Sequence, residues 1–183
     1  MSSHSLELPR RERFAGADTP ADAQRVLTLL LAQDGSTTRL CEAVAGAPVE
    51  LHVLHQQATS AVPPVVREHL PGDQFIERIT CLAAHGQVLM DNLSYIALQG
   101  LDPAIERDLR AGSMPIGHLL ARLWVRREPI LTPPELTQRL WSDVGLPDHD
   151  ATRSYRIVTP ETPRMLICET YRRGMLMPAD APR

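Results

Sequence analysis

The chain has no lysine: all 19 basic residues among its 183 are arginine. Without an ε-amine it cannot anchor pyridoxal phosphate, form a lysine Schiff base or supply the lysine of a P-loop. It also lacks a glycine-rich phosphate loop and a G-x-S-x-G elbow, and nothing marks a nucleotide or flavin site. No run approaches the ~18–20 apolar residues that cross a bilayer. The longest, VLTLLLA at 26–32, is interrupted by Thr28 and ends at Gln33-Asp34. The opening MSSHSLELPRRERF has no apolar core of a secretory signal. Three widely spaced cysteines, Cys41, Cys81 and Cys168, do not form a disulfide framework, so a reducing cytoplasm is expected. A net charge of −3 with no basic block argues against nucleic acid as the main partner.

What remains is 43% apolar, enough for one ordinary domain with its own core. An arginine-only set suits two-pronged recognition of carboxylates or phosphates, because guanidinium presents a rigid fork of donors. Residues 1–18 are polar and aperiodic and read as a mobile tail, and 174–183 as a loose one, leaving 19–173 as the domain.

Within it, Thr19 is placed to cap a helix that stops at Asp34-Gly35, and Ser36 a second that ends at Gly46. Residues 49–54 alternate as a strand, and a proline-bearing loop follows from Gln57 to Gly72. Residues 74–83 and 87–98 form a hairpin about Ala84-His85-Gly86. Asp102-Pro103 starts a helix closing at Gly112, and 114–122 supply another helical turn or two. Residues 124–130 read as a strand, and Thr132 opens a capping box for a helix ending before Gly145. A second hairpin joins 151–159 to 164–172. Hairpins outnumber any βαβ unit, so the fold expected is α+β, a mainly antiparallel sheet with helices at one face or edge.

Two charges stand out on that frame. Arg78 shares a strand face with Ile76 and Leu82, and Glu169 one with Met165, Ile167 and Tyr171. A charge on an apolar face is costly unless paired or solvated. Either the two pair with each other or lie in solvent, or Arg78 binds an anion in a cavity with Glu169 handling a hydroxyl or proton beside it. The histidines offer less. His52 and His55 fall on opposite faces of a regular strand and do not share a metal; His85 sits at a hairpin tip; His118 reads as a capping or surface residue. Cys81 and Cys168 read as small core residues, not nucleophiles.

In order along the chain, D34-G-S-T-T-R-L40, the strand about Glu77-Arg78, M114-P-I-G-H-L-L120, R153-S-Y-R-I157 and M165-L-I-C-E-T-Y171 resemble the chorismate pyruvate-lyase (4-hydroxybenzoate synthase) family. The resemblance spans roughly residues 30–173. It implies a six-stranded antiparallel sheet with flanking helices around a ligand cavity beneath flap-like loops, and an enzyme that removes pyruvate from chorismate without metal or organic cofactor; a fold that closes its own cavity is expected to be a monomer. It matches Arg78 to a carboxylate-binding arginine, Glu169 to the acid near the substrate hydroxyl and departing ether, and Ile116 and Gly117 to the backbone that meets the carboxylate. Arg153 and Arg156 follow as further binding residues. Asp91-Asn92 departs from the pattern, and 58–74, expected to form part of a flap, matches weakly. Two other readings on this scaffold are an enzyme turned to a related aromatising or pericyclic step and a non-catalytic effector-binding domain. Against the last, the 33 residues ahead of the match are too short for a winged-helix DNA reader.

Overall fold

The structure is a computed structural model describing residues 9–14, 20–112, 115–120, 124–160 and 162–176, without the Leu119 side chain. Six strands form one antiparallel sheet: β1 (Glu50–Thr59), β2 (Phe75–Ala84), β3 (Gln87–Ala97), β4 (Arg126–Ile130), β5 (Thr152–Val158) and β6 (Pro163–Tyr171). Their spatial order is β1-β2-β3-β6-β5-β4, every neighbouring pair antiparallel. The α+β class and six-stranded antiparallel sheet expected above are therefore present.

The helices cover both faces rather than one. On one face α3 (Pro64–His69) sets Val66, and α6 (Pro134–Val144) sets Leu136, Leu140 and Trp141, against Phe75, Ile79, Leu93 and Leu166. On the other, α1 (Ala21–Ala32) and α2 (Thr37–Ala45) cover one end, with Leu27, Leu30 and Cys41 over Leu82, Met90 and Tyr171. The opposite end lies beneath α4 (Pro103–Ala111) and α5 (Ile116–Leu120), where Ile105, Leu109 and Leu120 pack on Ile76, Ile157 and Met165. Every residue of β2 is therefore buried, and its two adjacent charges, Glu77 and Arg78, face opposite layers.

Local chemistry explains most boundaries. Ser36 caps α2 by accepting from the Arg39 amide, and Gly46 ends it in the left-handed region. Asp102 caps α4 through the Ala104 and Ile105 amides. The β2–β3 turn uses His85 and Gly86, both at positive φ, as a two-residue type I′ hairpin requires.

Other expectations fail for identifiable reasons. Thr19 lies outside the described residues, and α1 begins after Pro20 with no side-chain cap. Thr132 does not cap α6; Pro133 holds that position, again with no side-chain bond. The stretch after Gln57 is neither a long loop nor a flap over a cavity. β1 runs on to Thr59, and α3 packs Val66 into the α6-side core, started by Pro64 in its first turn. A β-bulge between Val53 and His55 resets the register, so His52 lies beside Cys81 and His55 beside Ile79, both on the α6 face. Residues 9–14 and 174–176, assigned by composition to the tails, are packed: Phe14 is fully buried, Arg10 bridges Gln87, and Met175 joins the α1–α2 core.

Candidate functional site

Register places one polar rung across four strands on the face covered by α1, α2, α4 and α5. Thr80 of β2 stands beside Asn92 of β3, Asn92 beside Glu169 of β6, and Glu169 beside Arg153 of β5. The flanking rungs are Leu82, Met90 and Tyr171 on one side, and Arg78, Ser94, Ile167 and Tyr155 on the other. The rung forms part of the floor of a cavity with about 470 Å³ of empty space, its open mouth included. Thr37 and Thr38 of α2 and Ile116 and Gly117 of α5 contribute its walls.

Glu169 is 1% exposed, and its carboxylate is met by donors on several sides. Oε1 accepts from Arg153 at 2.7 Å and from the hydroxyls of Thr37 and Tyr171 at 3.1 Å. Oε2 accepts from the Tyr155 hydroxyl at 3.0 Å. Burial, and then the Glu169 charge, push both phenols above their ordinary range, so each keeps its proton and donates it. Burial alone would lower Arg153, but Glu169 together with the Tyr171 and Tyr155 phenols outweighs it and the guanidinium is raised. Arg153 also donates to the carbonyls of Leu31 and Gln33, tying Glu169 to the end of α1.

Glu169 thus pairs with Arg153 and not with Arg78. Arg78 lies on the same sheet face, one rung away and two strands across, roughly 12 Å between backbones at ordinary strand spacing. It is 1% exposed, and its Nη2 donates to the Gly112 carbonyl at 3.0 Å, at the C-terminal end of α4. Burial pushes its pKa down to about 10. Arg156 is not at this site. It pairs in register with Leu166 on the α6 face and binds Glu128 at 2.6 Å. Strand alternation accounts for both outcomes, since Arg153 and Arg156 are an odd number of residues apart.

Gly117 has a steric role. A Cβ there would come within 2.8 Å of the Thr38 Cβ and 3.1 Å of the Ser36 Oγ, so its missing side chain lets α5 close on α2. Gly117→Ala is expected to push α5 off α2 at a cost of about 1–3 kcal/mol, read as a lower urea midpoint together with weaker binding of any cavity ligand. Beside this contact, His118 Nε2 lies 3.2 Å from Glu42 Oε1, which makes it a helix-to-helix tie and not a cap.

Several site residues were missed by the sequence reading. Thr80 follows from Arg78 by simple alternation, and Asn92 was visible as a departure from the family pattern. Arg127 carried no such signal. RREPI has no apolar alternation, yet register with Ile157 turns Arg127 into the cavity wall. Cys81 and Cys168 are buried, and burial pushes their thiols up to about 11 and about 12, so they stay protonated at neutral pH. Among the described residues no group of His, Cys, Asp or Glu is arranged to hold a metal.

A model of the family described as chorismate pyruvate-lyase, Rv2949c-like, matches residues 31–176. Curated proteins give no match. Among solved structures the chain is similar to a candidate regulator from Escherichia coli CFT073, at 14% identity and a TM-score of 0.47, over 67% of this chain and 95% of that one. It is also similar to a GntR-family transcriptional regulator from Bacillus cereus, at 12% identity and a TM-score of 0.43, over 67% and 90%. A third is the ligand-binding domain of a candidate GntR-family regulator from Bordetella bronchiseptica, at 14% identity and a TM-score of 0.40, over 67% and 82%.

Proposed function

Because the chain belongs to the Rv2949c-like chorismate pyruvate-lyase family, we propose that it converts chorismate to 4-hydroxybenzoate and pyruvate without a cofactor. The observation that carries the reading is the Glu169 carboxylate, buried in a cavity floor and held by Arg153, Tyr155, Tyr171 and Thr37.

The reaction needs little from the protein beyond pose and polarisation. The C3–O bond to the enolpyruvyl arm breaks while C4 loses its hydrogen as a proton. The electron pair of that C–H bond completes the aromatic ring. The arm leaves as enolpyruvate, takes up a proton and becomes pyruvate. Aromatisation supplies the driving force, so the site contributes orientation, a dry environment and a polar contact at the reacting end.

In this reading Arg78 holds the ring carboxylate as a two-pronged pair, with the Ile116 and Gly117 backbone beside it. Glu169 accepts the C4 hydroxyl hydrogen at Oε2, the oxygen less occupied by protein donors. Arg153 is a positioning residue that fixes Glu169. The protein is taken as cytoplasmic, in keeping with three cysteines that are buried and unpaired, and as a monomer.

The test is incubation of purified protein with chorismate, with pyruvate and 4-hydroxybenzoate measured together. Equimolar release supports the lyase. Binding of 4-hydroxybenzoate without pyruvate release overturns it in favour of a binding domain. Glu169→Gln is expected to lower kcat about 10²-fold with KM changed by less than tenfold. The opposite split would move Glu169 from the reacting end to binding alone.

A further inference from the structure

Among the described residues, the arginine in the cavity wall is Arg127, and the roles assigned above leave it unused. It projects from β4 beside Ile157, on the rung that runs through Met165 and Ile96 to Ile76. Arg78 leaves the same sheet face from β2, four strands away, so the two arginines flank the face with Glu169 on a strand between them. The Arg127 guanidinium lies 6.0 Å from the centre of the Tyr155 ring, whose hydroxyl binds Glu169. One of its donors, Nη1, reaches the Asp34 carbonyl at 3.2 Å. Its Nε is buried with no hydrogen-bond partner. A buried donor left unmatched in a cavity wall is disfavoured unless a ligand or a bound water completes it. With Arg39 it also lines a second, adjoining depression between α2 and α5.

We propose that Arg127 binds a second carboxylate, so that the site selects a ring acid carrying a further carboxylate on an ether arm. Resting on the lyase reading, this assigns Arg127 to the carboxylate of the enolpyruvyl arm, the part that leaves as pyruvate. Arg78 then reads what stays and Arg127 what departs. The product 4-hydroxybenzoate lacks the second carboxylate and loses this contact, which separates substrate from product without any movement of the sheet. Arg39, lining the adjoining depression with Arg127, adds positive charge beside it.

The inference is tested with two inert probes, so it does not depend on turnover. They are 4-hydroxybenzoate and 3-(carboxymethoxy)-4-hydroxybenzoate, which bears the second carboxylate on an ether arm. Calorimetric Kd values are measured for the full chain and for Arg127→Gln and Arg127→Lys, with urea unfolding confirming that each variant is folded. The expected result is that Arg127→Gln weakens the dicarboxylate ~10–100-fold and leaves the monocarboxylate within twofold, while Arg127→Lys recovers part of the loss. Retained preference for the dicarboxylate in Arg127→Gln, equal weakening of both probes, or failure of the unmodified protein to bind either overturns the proposal. If the probes follow the expected pattern but chorismate yields no pyruvate, the lyase reading fails and the two-carboxylate site stands.

Discussion

Arg78→Met is expected to lower kcat/KM for chorismate roughly 10²–10³-fold while the protein stays folded. Losing one partner of a desolvated charge pair costs about 2–5 kcal/mol of binding. Unlike Arg127→Gln, this change should weaken the monocarboxylate and dicarboxylate probes alike, because the ring carboxylate is common to both. Stability should respond little. Methionine gives up the bond to Gly112 and the other polar contacts of Arg78, but it also relieves a guanidinium whose burial already opposes its charge.

The same burial sets a pH dependence. With its pKa pushed down to about 10, Arg78 remains a cation through neutral pH. Affinity for benzoate, which has no phenol to ionise beside Glu169, should therefore hold to about pH 9 and fall towards tenfold per unit above 10. The stability contribution runs the other way. Below about 10 both folded and unfolded chains carry the proton, so the burial penalty is constant. Above it the folded chain releases the proton first, so this group's penalty shrinks as pH rises towards the ordinary arginine value. Affinity that stays flat to pH 11 would remove Arg78 from the carboxylate site.

The second large effect is on stability. On the α6 face, Asp91 and Arg172 are both fully buried and paired at 2.6 Å, with Arg11 from the N-terminal segment on the same carboxylate at 3.0 Å. Arg172 also donates to the Leu146 carbonyl. Asp91→Leu should cost about 3–5 kcal/mol, because it strands the Arg172 charge in the interior. For a chain of this size that corresponds to a thermal midpoint lower by about 10 °C. The double variant Asp91→Leu/Arg172→Met should recover most of the loss, since the penalty comes from the stranded charge and not from the missing bond. A double variant as unstable as the single one would show that the pair itself stabilises the fold.

That pair marks a limit of reading charges along a strand. Asp91 and Asn92 are adjacent, depart together from the family pattern, and do unrelated work. One anchors Arg172 under α6, and the other stands beside Glu169 in the cavity. Alternation states that they face opposite ways but not which way is the site. Helix ends were legible where a side chain or glycine makes the stop, as at Ser36, Asp102 and Gly145. The bulge after Val53 was not, because one unpaired residue changes every later face of β1 without altering composition. Arg78 and Glu169 could be singled out because they interrupt apolar faces. Arg127 could not, because its strand is mostly charged and only pairing with β5 identifies its inner side. Phe14 was hidden within a polar stretch, where a single aromatic finds a core built by distant residues.

The division of the cavity between sheet and covers bears on how such a site changes over time. Arg78, Glu169 and Arg127 sit on three strands of one continuous ladder, so their spacing cannot drift without breaking backbone pairing. The walls from α2 and α5 meet at a glycine and two short hydroxyl side chains. On the lyase reading, selection for a new aromatic acid would therefore act on the covers, at Thr38 and about Ile116 and Gly117, while the charged residues of the sheet are inherited intact. Libraries confined to those positions should yield altered ring preference with the fold retained, whereas libraries spread over the floor should yield mostly inactive protein.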